Sequence, residues 1–505
     1  MIFAAFLAAS CKKYLAVNDP NPNNPVSVTP DLLLPGALNK TVNMMTATAD
    51  GGTLSFDFLG WWMGYWCVSG TYVPATIDLQ YAEPNTYKQE LWENLYHNIN
   101  DYKNLENAGV VSTQPFYTGV AKIMEAYDFQ TLVDLWGNVP YSQALRGTNL
   151  LLPKYDDAQT IYNSLLKQID TGIVLIKSDM VTTAGGNDIM FGGDHGKWVR
   201  FANTVKLRIL IRQSQVPGIQ TLVTAELGTV GSDGYLMPKE GAYVNPGYQN
   251  STGKSNPFWA QYGYNVSLAT TGNNQYYKAA TYGITFYQNT KDSRIGYFYA
   301  PSAVKSTKYL GGVFGDTGVP GESGIGGNGL DGGATIQDAT LPTPSGLLQG
   351  SSSAAVLISS FESQFLQSEA AYRGWISGDS QALYNEAITE SFEYLIIKSL
   401  KDQKLVKYAD SSANAYYSQP INNVNYAIST NKLQAIITQK WAALNGISML
   451  EAYDDFRRTG FPNDLPQSAQ ANHPFPRRLL YPQTEQSTNA ANVPATPAKI
   501  FWVTQ

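Results

Sequence analysis

FESQFLQSEAAYRGWISGDSQALYNEAITESFEYLIIKSL, residues 361–400, holds two helical patterns back to back. In its first half Phe361, Phe365, Tyr372 and Trp375 fall on roughly one stripe at helical spacing, over 361–379, before Gly378-Asp379 interrupts the pattern. Ser380 then stands where an N-cap belongs, and a second helical run continues to residue 400. Each run has an apolar stripe to bury, and so short a turn folds one against the other. The stretch predicts an αα-hairpin.

The same periodicity recurs outward from this hairpin. KWVRFANTVKLRILIRQS (197–214) sets Trp198, Phe201, Val205 and Ile209 three and four residues apart. Further helices are expected at roughly 29–48, 53–67, 86–107, 113–135, 158–177 and 431–456. The expected fold class is mainly α, a tetratricopeptide-like scaffold of helix pairs, although no clean repeat of about 34 residues is present. From about 215 to 355 the character changes: FGDTGVPGESGIGGNGLDGG and PTPSGLLQGSSSA read as loop, and TYGITFYQ as a short strand. The expected organisation is one domain over 29–505 with a loop-rich insertion at about 215–355, a length of loop that is usually functional.

Charged residues make up 15% of the 505-residue chain, against a usual ~25%, while tyrosine alone supplies 33 residues. Such a surface suits neutral ligands, sugars among them, better than phosphates. A net charge of −6 gives no basic footprint for nucleic acid. Two cysteines, Cys11 and Cys67, are too few for a disulfide framework. Cys67, in GYWCVSG, reads as a small buried hydrophobe.

Residues 2–10 (IFAAFLAAS) form a short apolar run ending in small side chains, as in a signal peptide. Leu7-Ala8-Ala9-Ser10-Cys11 resembles a bacterial lipobox, whose cysteine is diacylated and becomes the first residue of the mature protein. Residues 1–10 are therefore expected to be a lipoprotein signal peptide, and 11–28 the lipidated Cys11 with a polar, proline-rich tether. Each buried CH₂ contributes roughly 0.8 kcal/mol, so two or more acyl chains give a stable anchor.

Motifs that would carry catalysis fail on spacing. Gly324-Ile325-Gly326-Gly327-Asn328-Gly329 spells G-x-G-x-x-G, but no strand precedes it and no helix follows. In GYQNSTGKS, Gly247 and Gly253 enclose five residues where a phosphate cradle needs four. ESGIG lacks the glycine that a nucleophile elbow places two residues past Ser323. His97, His195 and His473 lie far apart, so no metal site is expected. Asp454 and Asp455 point apart on one helix, at ion-pair spacing from Arg457 and Arg458. No catalytic residue and no cofactor is expected.

Four stretches resemble one family when read in order. They are DLWGNVPYSQALRG (134–147) with PKYDDAQTIYNSLLKQID (153–170), GGDHGKWVRFANTVKLRILIR (192–212), EAAYRGWISGD (369–379), and KWAALNGISMLEAYDDFRRTGFP (440–462) followed by PRRLLYPQTEQSTNAANV (476–493). Together, behind the lipobox, they resemble the SusD/RagB family of Bacteroidetes outer-membrane lipoproteins, most closely its SusD-like branch. The resemblance implies a non-enzymatic surface receptor on tetratricopeptide-like helix pairs. It would lie as a lid over a SusC-like TonB-dependent transporter, capture oligosaccharides or polysaccharides (peptides or glycopeptides in some members), and pass them on for import. A surface hydrolase is the alternative from another class, and no acid/base pair supports it. The matched motifs themselves read as fold-defining: Trp136, Gly137, Asn138 and Pro140 as a helix exit, and Trp441, Arg457 and Arg458 as core and helix-end pairing.

A neutral sugar calls for exposed aromatic platforms rimmed by amides. LGWWMGYWCVSGTYVPATIDLQY (59–81) is the densest aromatic stretch, with Trp62 and Trp66 an i, i+4 pair and Tyr72 and Tyr81 in the turns beyond. NPFWAQYGYN (256–265) offers Trp259, Tyr262 and Tyr264 beside Asn256 and Gln261. The expected ligand site is a shallow one between the 66–81 and 256–265 loops.

Overall fold

A computed structural model describes residues 28–49, 52–180, 186–302, 304, 308–316, 321–327, 346–397 and 402–505. The expected signal peptide, Cys11 with its tether up to residue 27, and Asn328 with Gly329 lie outside the described residues.

Ten helices of eleven residues or more carry the described fold: α1 (Pro30–Thr46), α2 (Gln89–Val111), α3 (Pro115–Trp136), α4 (Ala158–Ser178), α5 (His195–Arg212), α6 (Ser360–Tyr372), α7 (Ser380–Ile396), α8 (Gln403–Tyr417), α9 (Lys432–Ala443) and α10 (Met449–Thr459). Helices α1 to α5 pack in succession around α3, of which only Pro115 and Lys122 escape burial. A helix buried on every side lies at the centre of a bundle, and here Glu125, Asp128 and Asp134 are buried with the apolar residues. Close approach demands small residues: a Cβ on Gly119 would lie 2.6 Å from the carbonyl oxygen of Gly172 in α4. Helices α6, α7 and α8 form the second stack, and α6 also packs on α5 and α9.

The 361–400 hairpin is present, with two shifts. Helix α6 ends at Tyr372 rather than 379, and α7 is capped by Asp379, whose Oδ1 accepts the Gln381 amide at 2.9 Å. Ser380, the expected cap, instead donates to the Ser368 carbonyl at 2.8 Å.

Three other expectations need correction. The 53–67 segment is helical only over Asp57–Trp62. Gly64 at φ +68° breaks it, and Trp66–Val68 becomes a strand antiparallel to Tyr277–Ala279. The 431–456 helix is two, divided at Gly446, whose φ of +70° no helix accepts. TYGITFYQ is helical, within Thr281–Asn289, because Gly283, Ile284 and Tyr287 turn one face inward. The 215–355 region otherwise holds short elements, including helices Pro257–Tyr262 and Gly272–Tyr276 and a strand Ala242–Val244 paired with Ala355–Ile358.

Buried charges tie the two halves together. Arg212 of α5 reaches Glu451 and Asp454 of α10, each at 2.7 Å, and Asp134 of α3 at 3.4 Å. Arg458 bonds Glu369 of α6 through both terminal nitrogens, at 2.7 and 2.8 Å, and Asp455 at 2.7 Å. Lys440 of α9 pairs with Asp455 at 2.9 Å. Burial pushes the Asp455 carboxyl upward, but Lys440 and Arg458 outweigh it and hold the group well below the usual carboxylate range. The carboxylates of the 440–462 motif are thus structural.

Candidate functional site

The strand pair Trp66–Val68 and Tyr277–Ala279 fixes one loop against the other. Past its end, the Ser69 amide donates to the Tyr276 carbonyl at 2.8 Å. From there the chain turns outward and presents Tyr72, 41% exposed. Its ring meets that of Tyr276 edge-on at 5.2 Å, and its hydroxyl points at Gln275 Oε1, 3.5 Å away.

The other loop is built on a capped turn. Asn256 Oδ1 accepts the Trp259 amide at 3.0 Å and starts the short helix Pro257–Tyr262. Trp259 and Tyr264 stack obliquely at 5.0 Å. The segment Thr270–Tyr276 joins this loop to the first. Thr271 Oγ1 donates to the Gln261 carbonyl at 2.8 Å, Asn274 Nδ2 to the Tyr262 carbonyl at 2.7 Å, and Asn273 Nδ2 to Gln261 Oε1 at 3.3 Å. The result is one continuous face from Tyr72 through Gln275, Asn273 and Gln261 to Tyr264, lined by uncharged side chains. Burial, with Asp78 and Asp57 nearby, pushes the Tyr276 phenol up to about 12, so it stays a neutral donor. Such a face can hydrogen-bond hydroxyls and amides and stack on apolar sugar faces. The cation beside it, Lys278, donates to the Asn274 carbonyl at 2.9 Å and lies near the Glu322 carboxylate.

The nine expected binding residues divide between this face and what lies under it. Tyr72 is exposed, and Trp259, Gln261 and Tyr264 are half-buried at the surface. Trp62, Trp66, Tyr81, Tyr262 and Asn256 are buried, so they support the face rather than presenting to a ligand. Trp62 ends its helix and packs on Phe58, Tyr81, Tyr453 and Phe475. Trp66 rests against Tyr262 and Tyr277, because strand pairing, not helical spacing, sets its direction. Tyr81 lies under Phe475 and takes the Ser468 amide on its hydroxyl at 2.8 Å. Trp259 also lines a slot of about 30 Å³ with Asn256, Leu347, Gln349, Tyr394 and Thr46, and its indole N–H has no partner among the described residues.

Asn273, Gln275 and Tyr276 are functional candidates that the sequence reading passes over. The run TTGNNQYY (270–277), amide-rich and without charge, was the available signal. Cys67 is buried beneath the face, and its thiol donates to the Ala279 carbonyl at 3.1 Å. Among the described residues no group of His, Cys, Asp or Glu is arranged to hold a metal ion. No described helix is long and apolar enough to cross a membrane.

Comparison with known proteins gives a consistent answer. The family model SusD-like, described as starch-binding and associating with the outer membrane, matches residues 22–482. A chitin-binding SusD homologue from Flavobacterium johnsoniae superposes with a TM-score of 0.71 at 21% identity, over 93% of this chain and 98% of its own. A SusD-like protein from Bacteroides thetaiotaomicron gives 0.70 at 19% identity, over 94% and 99%. A SusD homologue from Bacteroides fragilis gives 0.68 at 20%, over 92% and 94%. At these identities the likeness shows the fold. Among curated proteins none matches the chain.

Proposed function

The chain belongs to the SusD/RagB family, in its SusD-like branch, and from that premise we propose that it is a non-catalytic cell-surface receptor for neutral oligosaccharides or polysaccharides. The observation that carries the reading is the uncharged face from Tyr72 to Tyr264, where phenols and amides converge over an aromatic floor. Tyr72 and the Trp259–Tyr264 pair are the stacking surfaces, and Gln261, Asn273 and Gln275 bond the sugar hydroxyls. The family's association with the outer membrane and the lipobox-like Leu7–Cys11 support an anchor at Cys11. The receptor would act as the lid of a SusC-like TonB-dependent transporter, to which it delivers its ligand.

The chitin-binding relative makes β-linked N-acetylglucosamine oligomers the first ligands to try. Affinity electrophoresis against starch, chitin oligomers and other neutral glycans tests the reading. One retained polymer class, with retention weakened in Tyr72→Ala, supports it. Normal migration in every gel overturns it.

A further inference from the structure

The slot beside Trp259 is bordered by a buried donor that the described chain leaves unused. Its space of about 30 Å³ lies between the end of α1, the Pro257–Tyr262 helix, the start of the Ala355–Ile358 strand and the turn at Gly446. Every residue around it is uncharged. The Trp259 indole N–H is buried with no partner among the described residues. Trp61, Trp62, Trp66 and Trp502 share that lack, but they are core residues, whereas Trp259 is half-buried and borders both the slot and the ligand face. A buried donor without a partner is uncommon in a folded protein and asks what group meets it.

Neighbouring polar side chains are already engaged. Asn256 Oδ1 takes the Trp259 amide, its Nδ2 donates to the Ser353 carbonyl at 2.9 Å, and Thr46 Oγ1 donates to the Val42 carbonyl at 2.7 Å. Gln349 Nε2 donates to the Gly346 and Tyr394 carbonyls, at 2.9 and 2.7 Å, which leaves Oε1 as the end of that amide that accepts. Phe258, Leu347, Val356 and Ile447 supply an apolar wall. A water-sized group needs ~10–15 Å³, so there is room for about two, a carbonyl and a methyl for instance. A pyranose ring is too large. A hydroxyl alone would use the donor and leave the apolar wall without contact. A carboxylate would enter without a cation to compensate it. An acetamido group brings a carbonyl to accept, an N–H to donate and a methyl to bury.

We propose that this slot seats the acetamido group of an N-acetylated sugar, so that the protein prefers N-acetylated neutral glycans to unsubstituted ones. The Trp259 N–H donates to the acetamido carbonyl, Gln349 Oε1 accepts the acetamido N–H, and the methyl packs on the apolar wall. The sugar ring stays outside, on the face beside Tyr264. The assignment rests on the receptor reading above. It gives Trp259 the choice between ligands, whereas Tyr72 supplies stacking common to all of them.

Isothermal titration of the intact protein with chitotetraose, cellotetraose and maltotetraose tests it. The first two share one β-linked backbone and differ in bearing acetamido or hydroxyl groups. Chitotetraose should bind about tenfold more tightly than either glucan. Trp259→Phe keeps a ring against Tyr264 but removes the N–H, and it should weaken chitotetraose about 3–10-fold while leaving the glucans unchanged. Tyr72→Ala should weaken whatever binds without altering the preference. A glucan bound as tightly as chitotetraose overturns the inference while the receptor reading stands. So does a preference that Trp259→Phe leaves intact, which would assign the N–H to an ordered water. A loss in Trp259→Phe shared equally by the glucans makes Trp259 a structural support and overturns it too. Binding to none of the three overturns the inference, and normal migration in every gel above then overturns the receptor reading as well.

Discussion

Arg212 and Glu451 meet at 2.7 Å in the interior, 239 residues apart in sequence. The contact joins α5 of the first helical stack to α10 near the end of the chain. Neither side chain reaches solvent to any useful extent, so their charges are compensated within a buried network in which Arg208 also reaches Glu451, at 3.4 Å, and Arg212 also reaches Asp454.

Replacing Arg212 with Met should therefore take Asp134's ion-pair partner away and leave Glu451 with Arg208 alone and Asp454 with Arg457 alone, all buried. The expected loss is about 3–5 kcal/mol, the usual cost of breaking a buried pair from one side. Urea unfolding measures it. Adding Glu451→Gln should recover part of the loss, giving a coupling of about 1–3 kcal/mol in the double-mutant cycle.

Glu125 predicts a pH dependence of opposite sign to that of Asp455. Burial, helped by the nearby Glu106 carboxylate, pushes Glu125 up to about 8 from its ordinary 4.5. The folded state then holds a proton that the unfolded chain has released, so this group lowers stability as pH rises from about 4.5 to about 8. Glu125→Gln, which keeps an oxygen to accept from Gln168 Nε2, should raise stability at pH 8 by on the order of 1–3 kcal/mol and change little at pH 4. Asp455, held low, contributes stability above its unfolded value near 4 that is lost as pH falls toward its folded one. Thermal melts from pH 4 to 8 on both proteins read the Glu125 contribution, and extending them below pH 4 reads that of Asp455.

Gly119→Ala should destabilise by about 1–3 kcal/mol, because its methyl meets the Gly172 carbonyl and forces α3 from α4. Gly36, where a Cβ has nothing within 4 Å, is the control. Ala there should be neutral or mildly stabilising by the same urea assay.

How much of this was legible in the sequence depended on distance along the chain. The α6–α7 hairpin, the helix exit at Gly137 and the spacing of Asp455 and Arg458 are local relationships, and each appears in the structure. The 59–81 stretch was misjudged because its form depends on residues more than 200 positions away. Pairing with Tyr277–Ala279 turns Trp66 inward, and Phe475 and Ser468 cover Tyr81. The same pairing brings Asn273 and Gln275 to the candidate face, although no periodic pattern marks them. Tyr72 stood out because glycine and proline around it favour a turn, and a turn is where an aromatic stays exposed.

Tyr72→Ala should leave the free energy of urea unfolding unchanged to within about 0.5 kcal/mol, since the side chain is exposed. The same change should weaken glycan binding about 3–10-fold, the worth of one stacking contact. A fall in stability without a fall in affinity would return Tyr72 to a structural role.

The central claim is that the Tyr72–Tyr264 face holds a neutral glycan, and the most direct measurement is isothermal titration of the intact protein with neutral oligosaccharides, wild type against Tyr72→Ala and Gln261→Ala. The account predicts saturable binding to one glycan class, weakened several-fold by each substitution and insensitive to salt because no ion pair contributes. Saturable binding unchanged by both substitutions, or binding that fades as salt rises, would contradict it.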